Sequence, residues 1–229
     1  MSVPPFEGFP KEALAFFLDL AKNNDRAWFQ PRKQAYQEYV VDPAMAFVAA
    51  LGPRLQKMSP GIRFNLKETG GDSIMRLNRD TRFGPDKRPY KEHLGIVFWE
   101  GEKKLEGSGF YFHLDPHGTR LYVGIHEFHG QTLDAYRTAV DDSETGPKLV
   151  KLIERLTGKY AVGGTYYKMT PRGFDKDHER AALLRYNGLY AGSDLIEPEL
   201  IQSAALVDHC MAMAMDLIGL HKWLTRLAV

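Results

Sequence analysis

A chain of 229 residues, 44% of them hydrophobic, is long enough to bury a sizeable core as one large domain or two small ones. Thirty basic residues against twenty-nine acidic ones leave a formal net charge of +1, which excludes a whole-molecule field for nucleic acid or an anionic membrane and makes any electrostatic function local. The single cysteine, Cys210, excludes an internal disulfide framework and a cysteine-based zinc site, and fits a reducing compartment.

The N-terminus MSVPPFEGFPKEAL has no basic region followed by an apolar one, and no run of about eighteen apolar residues occurs, so a soluble, cytoplasmic protein without a membrane partner is expected. Pro10 suits a first helical turn, and residues 10–22 place Leu14, Phe17, Leu18 and Ala21 on one face before Asn23-Asn24, which predicts an amphipathic helix. NNDRAWF at 23–29 reads as a helix stop, an N-cap and an aromatic plug that docks the next helix. Pro31 interrupts any helix begun at Asn24 and opens another with Ala35, Tyr36, Tyr39 and Val40 inward. A third begins at Asp42-Pro43, with Ala44, Phe47, Val48, Leu51 and Leu55 at helical spacing, so residues 1–60 form a helical lobe.

After Pro60 the period becomes two. Ile74 and Arg76 alternate with Met75 and Leu77, and Leu94, Ile96 and Phe98 with Gly95, Val97 and Trp99. GFYFHL, DPHGT and RLYVGIHEF predict a β-hairpin with a loop of about five residues. On its first strand Phe110, Phe112 and Leu114 face the core, leaving Tyr111 and His113 on the opposite face. Residues 71–130 are therefore an antiparallel sheet core. Helical spacing returns at 132–157, a strand is expected within 159–169, HERAALLRY starts a shorter helix, and the tail from Pro198 to Leu227 is mostly helix. With no internal repeat and no Pro/Gly/Ser-rich linker, the expectation is one α+β domain over residues 1–229, an antiparallel sheet with helices at its N- and C-terminal ends.

The stretch NRDTRFGPDKRPYKEH, residues 78–93, mixes Arg79, Arg82, Lys87, Arg88 and Lys91 with Asp80, Asp86 and Glu92, and with Phe83 and Tyr90. Gly84-Pro85-Asp86 is turn chemistry, and Pro89 pushes Arg88 toward extended geometry, so the cations sit on a short rigid connection at one end of the sheet. Arginine grips two oxygens of a phosphate or carboxylate and lysine adds a point charge. Such a cluster binds a small anion, or it closes an internal network in which Arg79 pairs with Asp80 or Asp86; both readings stand at this level.

Together, NNDRAWF at 23–29, RDTRFGPDKRPYK at 79–91, GFYFHLDP at 109–116 and PRGFDKDH at 171–178 resemble the domain-of-unknown-function 2461 family, conserved hypothetical proteins of bacteria and fungi. The resemblance spans nearly the whole chain and implies a single α+β domain; it assigns no activity and no acting residue. Where that family often has consecutive glycines and a proline in the second hairpin strand, this chain has Val123-Gly124 and His126.

The histidines of HLDPH and HEFH (His113, His117, His126 and His129) with Asp115 suggest a metal, but Asp115-Pro116-His117-Gly118 is more simply a hairpin loop, and no metal or other cofactor is expected. Tyr166-Tyr167-Lys168 and Arg172 suggest base stacking, yet no dedicated nucleic-acid motif occurs. No Gly-x-Ser-x-Gly, Walker or dinucleotide glycine pattern is present. The leading expectation is a pocket for a small phosphorylated or carboxylated ligand. Arg76, Arg79, Arg82, Lys87 and Lys91 would supply anion contacts, Asp80 and Asp86 would orient the guanidinium groups, and Phe83 and Tyr90 would wall it. If the protein is an enzyme, Asp80 or His113 is the general acid or base and Arg82 the charge stabiliser. The alternative is a non-catalytic module whose basic loop docks an acidic protein or RNA.

Overall fold

Pro10, extended at φ −66° and ψ 155°, leads into α1 (Lys11–Lys22) in a computed structural model that describes residues 3–66, 72–82, 84–102 and 104–227. The helix buries Ala13, Phe16, Phe17 and Leu20 rather than the expected Leu14, Phe17, Leu18 and Ala21; Leu18 is 43% exposed. Both quartets have helical spacing, and the face that turns inward is the one that removes two phenylalanines and a leucine from water. Asp25 accepts from the backbone N–H of Trp28 at 2.9 Å and starts α2 (Arg26–Phe29). As expected, Pro31 interrupts the α-helix begun near Asn24, and α2 stops at Phe29. The proline sits in the first turn of a 3₁₀ segment (Gln30–Arg32), where its missing N–H is not required, and α3 (Lys33–Tyr36), a π-helical turn (Gln37–Val41) and α4 (Asp42–Met58) follow directly. The expected Ala44, Phe47, Val48, Leu51 and Leu55 are all buried on α4.

The strands are β1 (Ile62–Arg63), β2 (Leu94–Glu100), β3 (Gly109–Leu114), β4 (Arg120–Ile125), β5 (Ala161–Gly163) and β6 (Leu189–Gly192), joined in one antiparallel six-stranded sheet of order β1-β2-β3-β4-β6-β5. The hairpin connection is residues 115–119, five residues as expected, and β3 alternates with Phe110, Phe112 and Leu114 buried and Tyr111 and His113 on the other face. β2 is buried on both faces from Leu94 to Phe98. The extended run at 74–77 is not a regular strand. It meets the region of β2 through isolated antiparallel bridges, Ile74 to Ile96 and Asn78 to Tyr90, and three residues between the bridges on one side against five on the other prevent a continuous ladder. β6, which no sequence pattern announced, inserts between β4 and β5. With helices at both ends of the chain, the fold is α+β.

The chain packs as two compact units. The first comprises Met1–Phe98, Tyr111–Leu121 and Leu195–Ala212. Its core stacks Phe112 against Phe47 at 4.7 Å and Phe9 at 5.8 Å, and it includes α8 (Pro198–Ile201). The second comprises Trp99–Phe110, Tyr122–Asp194 and Met213–Val229. There α5 (Gln131–Asp141) and α6 (Thr145–Leu156) pack with Tyr136 against Phe128 at 4.4 Å, while Trp223 of α9 (Leu206–Thr225) donates to the Thr145 carbonyl. Arg180, just before α7 (Ala181–Leu184), is buried, and its guanidinium caps the end of α5 through the carbonyls of Val140 and Asp141. In β4, Gly124 has φ +142°, and a Cβ there would lie 2.3 Å from the Leu189 carbonyl oxygen, so only glycine allows β6 this close. No helix among the described residues is long and apolar enough to cross a membrane.

Candidate functional site

The basic segment is held to the first unit by its backbone. Arg79 N–H bonds the Pro89 carbonyl at 2.9 Å and Lys91 N–H the Leu77 carbonyl at 2.8 Å. Asn24 clamps the same place with its side chain, donating to the Tyr90 carbonyl at 3.0 Å and to Glu92 Oε1 at 2.8 Å while accepting from Tyr90 N–H at 3.0 Å. The Tyr90 ring is buried against Phe29 at 4.5 Å.

Most of the charges in the segment are spent on one another. Asp80 receives both Nε and Nη2 of Arg82 and its backbone N–H, and those bonds hold the Asp80 carboxyl down at about 2. Asp86 receives the Arg88 guanidinium and backbone N–H and, at 2.5 Å, Arg79 Nη1, so its carboxyl lies far below the usual range. Arg88 also reaches Glu92, and Lys87 donates to the Thr81 carbonyl at 2.8 Å. Phe83 lies outside the described residues.

Arg76 and Lys91 differ. Neither side chain has a hydrogen bond or ion pair among the described residues, and they lie within electrostatic reach of each other: burial first, then the Arg76 charge, lowers the Lys91 ammonium pKa below its ordinary value. Burial likewise pushes His93 down to about 4, with His113 and Lys91 adding to it. The His93 ring lies 4.6 Å from that of His113. His113 Nε2 is 2.8 Å from Asp115 Oδ2, and its Nδ1 is 3.3 Å from the Tyr111 hydroxyl. The Tyr111 phenol in turn occupies the space above Gly95, where a Cβ would meet its oxygen at 2.7 Å and Met75 Sδ at 3.0 Å. Of the residues singled out from sequence, His113 belongs to a polar cluster with Tyr111, Asp115 and His93; Lys91 acts on His93 through its charge, and the Arg76 charge acts on both Lys91 and Asp80, whereas Arg79, Arg82, Asp86 and Lys87 are engaged within the loop.

A family model described as conserved hypothetical protein (DUF2461) matches residues 12–223, a span that includes all four quoted motifs. The chain belongs to the DUF2461 family. No curated protein and no solved structure matches it.

In this DUF2461 protein the sequence reading gave no role in the site to three members of the cluster: it left His93 aside, placed Tyr111 on the face of His113 without a task, and assigned Asp115 to the hairpin loop. The signal was period two, since Tyr111, His113 and Asp115 alternate along one strand and its exit while His93 and Gly95 alternate along the neighbouring run. A second constellation lies in the other unit, where His221 bridges Ser108 Oγ at 2.9 Å and Glu100 Oε2 at 2.8 Å. It resembles a nucleophile set, but Ser108 is 1% exposed and His221 0%, so it serves as a buried polar tie with no approach for a substrate. Among the described residues of the DUF2461 chain, no group of three or more His, Cys, Asp and Glu gathers to hold a metal.

Proposed function

We propose that the protein binds a small phosphorylated or carboxylated ligand, in the cytoplasm, with Arg76 and Lys91 as its anion contacts. The observation that carries this reading is that two cations lie near each other with no ion pair for either side chain among the described residues. Like charges near each other, one of them the partly buried Lys91 and the other the exposed Arg76, cost free energy that an anion removes. The same segment matches each of its other arginines to a carboxylate, so acids were available locally and these two cations remain outside those pairs. Docking of an acidic protein or RNA through the loop is the weaker reading, because Asp80, Asp86 and Glu92 neutralise the arginines that such a partner would grip.

Thermal unfolding with and without inorganic phosphate tests the proposal. A ligand at about a hundred times its dissociation constant stabilises the fold by about 2.7 kcal/mol, which for a chain of this length corresponds to a rise of about 5–10 °C. Arg76→Ala and Lys91→Ala should each abolish most of that rise while leaving the melting temperature without phosphate unchanged or higher. A wild type indifferent to phosphate and to small carboxylates would sink the reading.

A further inference from the structure

We propose that Tyr111 is a general base and acid, driven by His113 and Asp115, which moves a proton to and from the anionic ligand; the proposal rests on the anion site just described. Asp115 fixes the direction of the relay. Its Oδ1 is occupied by the backbone N–H groups of His117 at 2.6 Å and Gly118 at 2.8 Å, and its Oδ2 faces His113 Nε2 at 2.8 Å. A carboxylate can only accept, so the neutral imidazole carries its proton on Nε2 and leaves Nδ1 as the acceptor. That nitrogen is 3.3 Å from the Tyr111 oxygen, so the phenol donates to it. The order carboxylate, imidazole, hydroxyl is that of a Ser-His-Asp relay, with a phenol in the place of the serine.

The surroundings fit such a device. Burial of Asp115 raises its pKa, but the hydrogen bonds from His113, His117 and Gly118 outweigh that and keep the carboxyl below its usual range, ready to steady an imidazolium. His93 packs its ring on His113 at 4.6 Å and, held near 4, contributes no competing charge at neutral pH. Gly95 leaves open the space that the phenol fills. A hairpin cap alone would need only Asp115 and its two backbone N–H bonds.

The step balances without an oxidant or a metal. A proton on the substrate passes to Tyr111 Oη as the phenolic proton passes to His113 Nδ1. The electron pair of the broken bond stays on the substrate as an alkoxide or enolate, near Arg76 and Lys91, and His113 becomes an imidazolium paired with Asp115. Reversal returns the proton. The substrate class is a small phosphorylated or carboxylated compound with an acidic O–H or C–H beside that group.

The test uses para-(fluorosulfonyl)benzoate, whose carboxylate suits Arg76 and Lys91 and whose sulfur accepts a phenol: the Tyr O–S bond forms, S–F breaks, fluoride leaves and His113 takes the proton. Peptide mapping should show Tyr111 modified at least about tenfold faster than Tyr166, the size expected of an assisting base, although Tyr166 is 69% exposed. His113→Gln and Asp115→Asn should lower the Tyr111 rate to that of Tyr166. The wild-type comparison of the two tyrosines decides the matter even if a variant fails to fold. If Tyr111 reacts no faster than Tyr166 with this reagent or with neutral phenylmethanesulfonyl fluoride, the relay is overturned. If Tyr111 reacts fast with both and phosphate gives no protection, the relay stands and the anion site falls.

Discussion

Replacing Asn24 with alanine removes one carboxamide and three hydrogen bonds: two to the backbone of Tyr90, both at 3.0 Å, and one to Glu92 at 2.8 Å. Tyr90 is 4% exposed, so its N–H and C=O gain little water in exchange. A net hydrogen bond contributes about 1 kcal/mol, and leaving a buried partner unsatisfied costs about 1–3 kcal/mol, so with partial relaxation the loss should be about 2–4 kcal/mol. In a chain of this length that is a fall of about 5–15 °C in melting temperature. Asn24→Asp sharpens the argument. It keeps an acceptor for Tyr90 N–H but sets a carboxylate oxygen against the Tyr90 carbonyl and the Glu92 carboxylate, so at neutral pH it should be at least as unstable as Asn24→Ala. Differential scanning calorimetry of the three proteins measures both effects. An Asn24→Ala protein that melts with the wild type, or an Asn24→Asp protein that melts above Asn24→Ala, would refute the clamp.

Phe112→Ala should lower stability by about 3–5 kcal/mol in urea titration, because it empties a fully buried site between Phe9 and Phe47. His93, pushed down to about 4 by burial and then by His113 and Lys91, takes its proton first in the unfolded chain. Its contribution is therefore complete above its ordinary value of about 6.5 and is lost as pH falls toward 4, so the acid loss of stability over that interval should be smaller in His93→Gln than in wild type. Gly95→Ala places a methyl 2.7 Å from the Tyr111 oxygen and should cost about 1–3 kcal/mol by chemical denaturation while slowing Tyr111 modification, since the phenol must leave His113.

The fold was legible wherever one face of an element meets water. β3 and β4 alternate cleanly because only one side of each is buried, and α4 carries its inward residues at the spacing that gave it away. The sequence misled where two faces competed or none stood out. On α1 two quartets had the same spacing, and total apolar area chose between them. β6 is four residues long, with Leu189, Ala191 and Gly192 all buried, so it offers no alternation to read. The run at 74–77 does alternate, but its bridges to the β2 region slip out of step, and that slip depends on Pro89 and on the fit of residues far apart in the chain.

In the basic segment the division between paired and unpaired cations follows a local rule. Asp80-Thr81-Arg82 and Asp86-Lys87-Arg88 repeat one arrangement, in which the aspartate accepts both the backbone N–H and the guanidinium of the residue two places on. Each such pair closes on itself with no help from the rest of the fold, so Arg82 and Arg88 were predictable as engaged. Arg79 has Leu77 at that position and Lys87 has Pro85; they find Asp86 and the Thr81 carbonyl only because the segment folds back on itself. Arg76 and Lys91 have Ile74 and Pro89 two places before them, so neither has the local partner, and the folded segment brings neither one to a carboxylate at ion-pair distance among the described residues. The pairs also serve the two that remain: by fixing the turn through Asp86 while Asn24 fixes the strand through Tyr90, they hold Lys91 in place on both sides. Rigidity of that kind keeps the Lys91 backbone in one place beside the exposed Arg76, and it is what preorganised anion recognition requires.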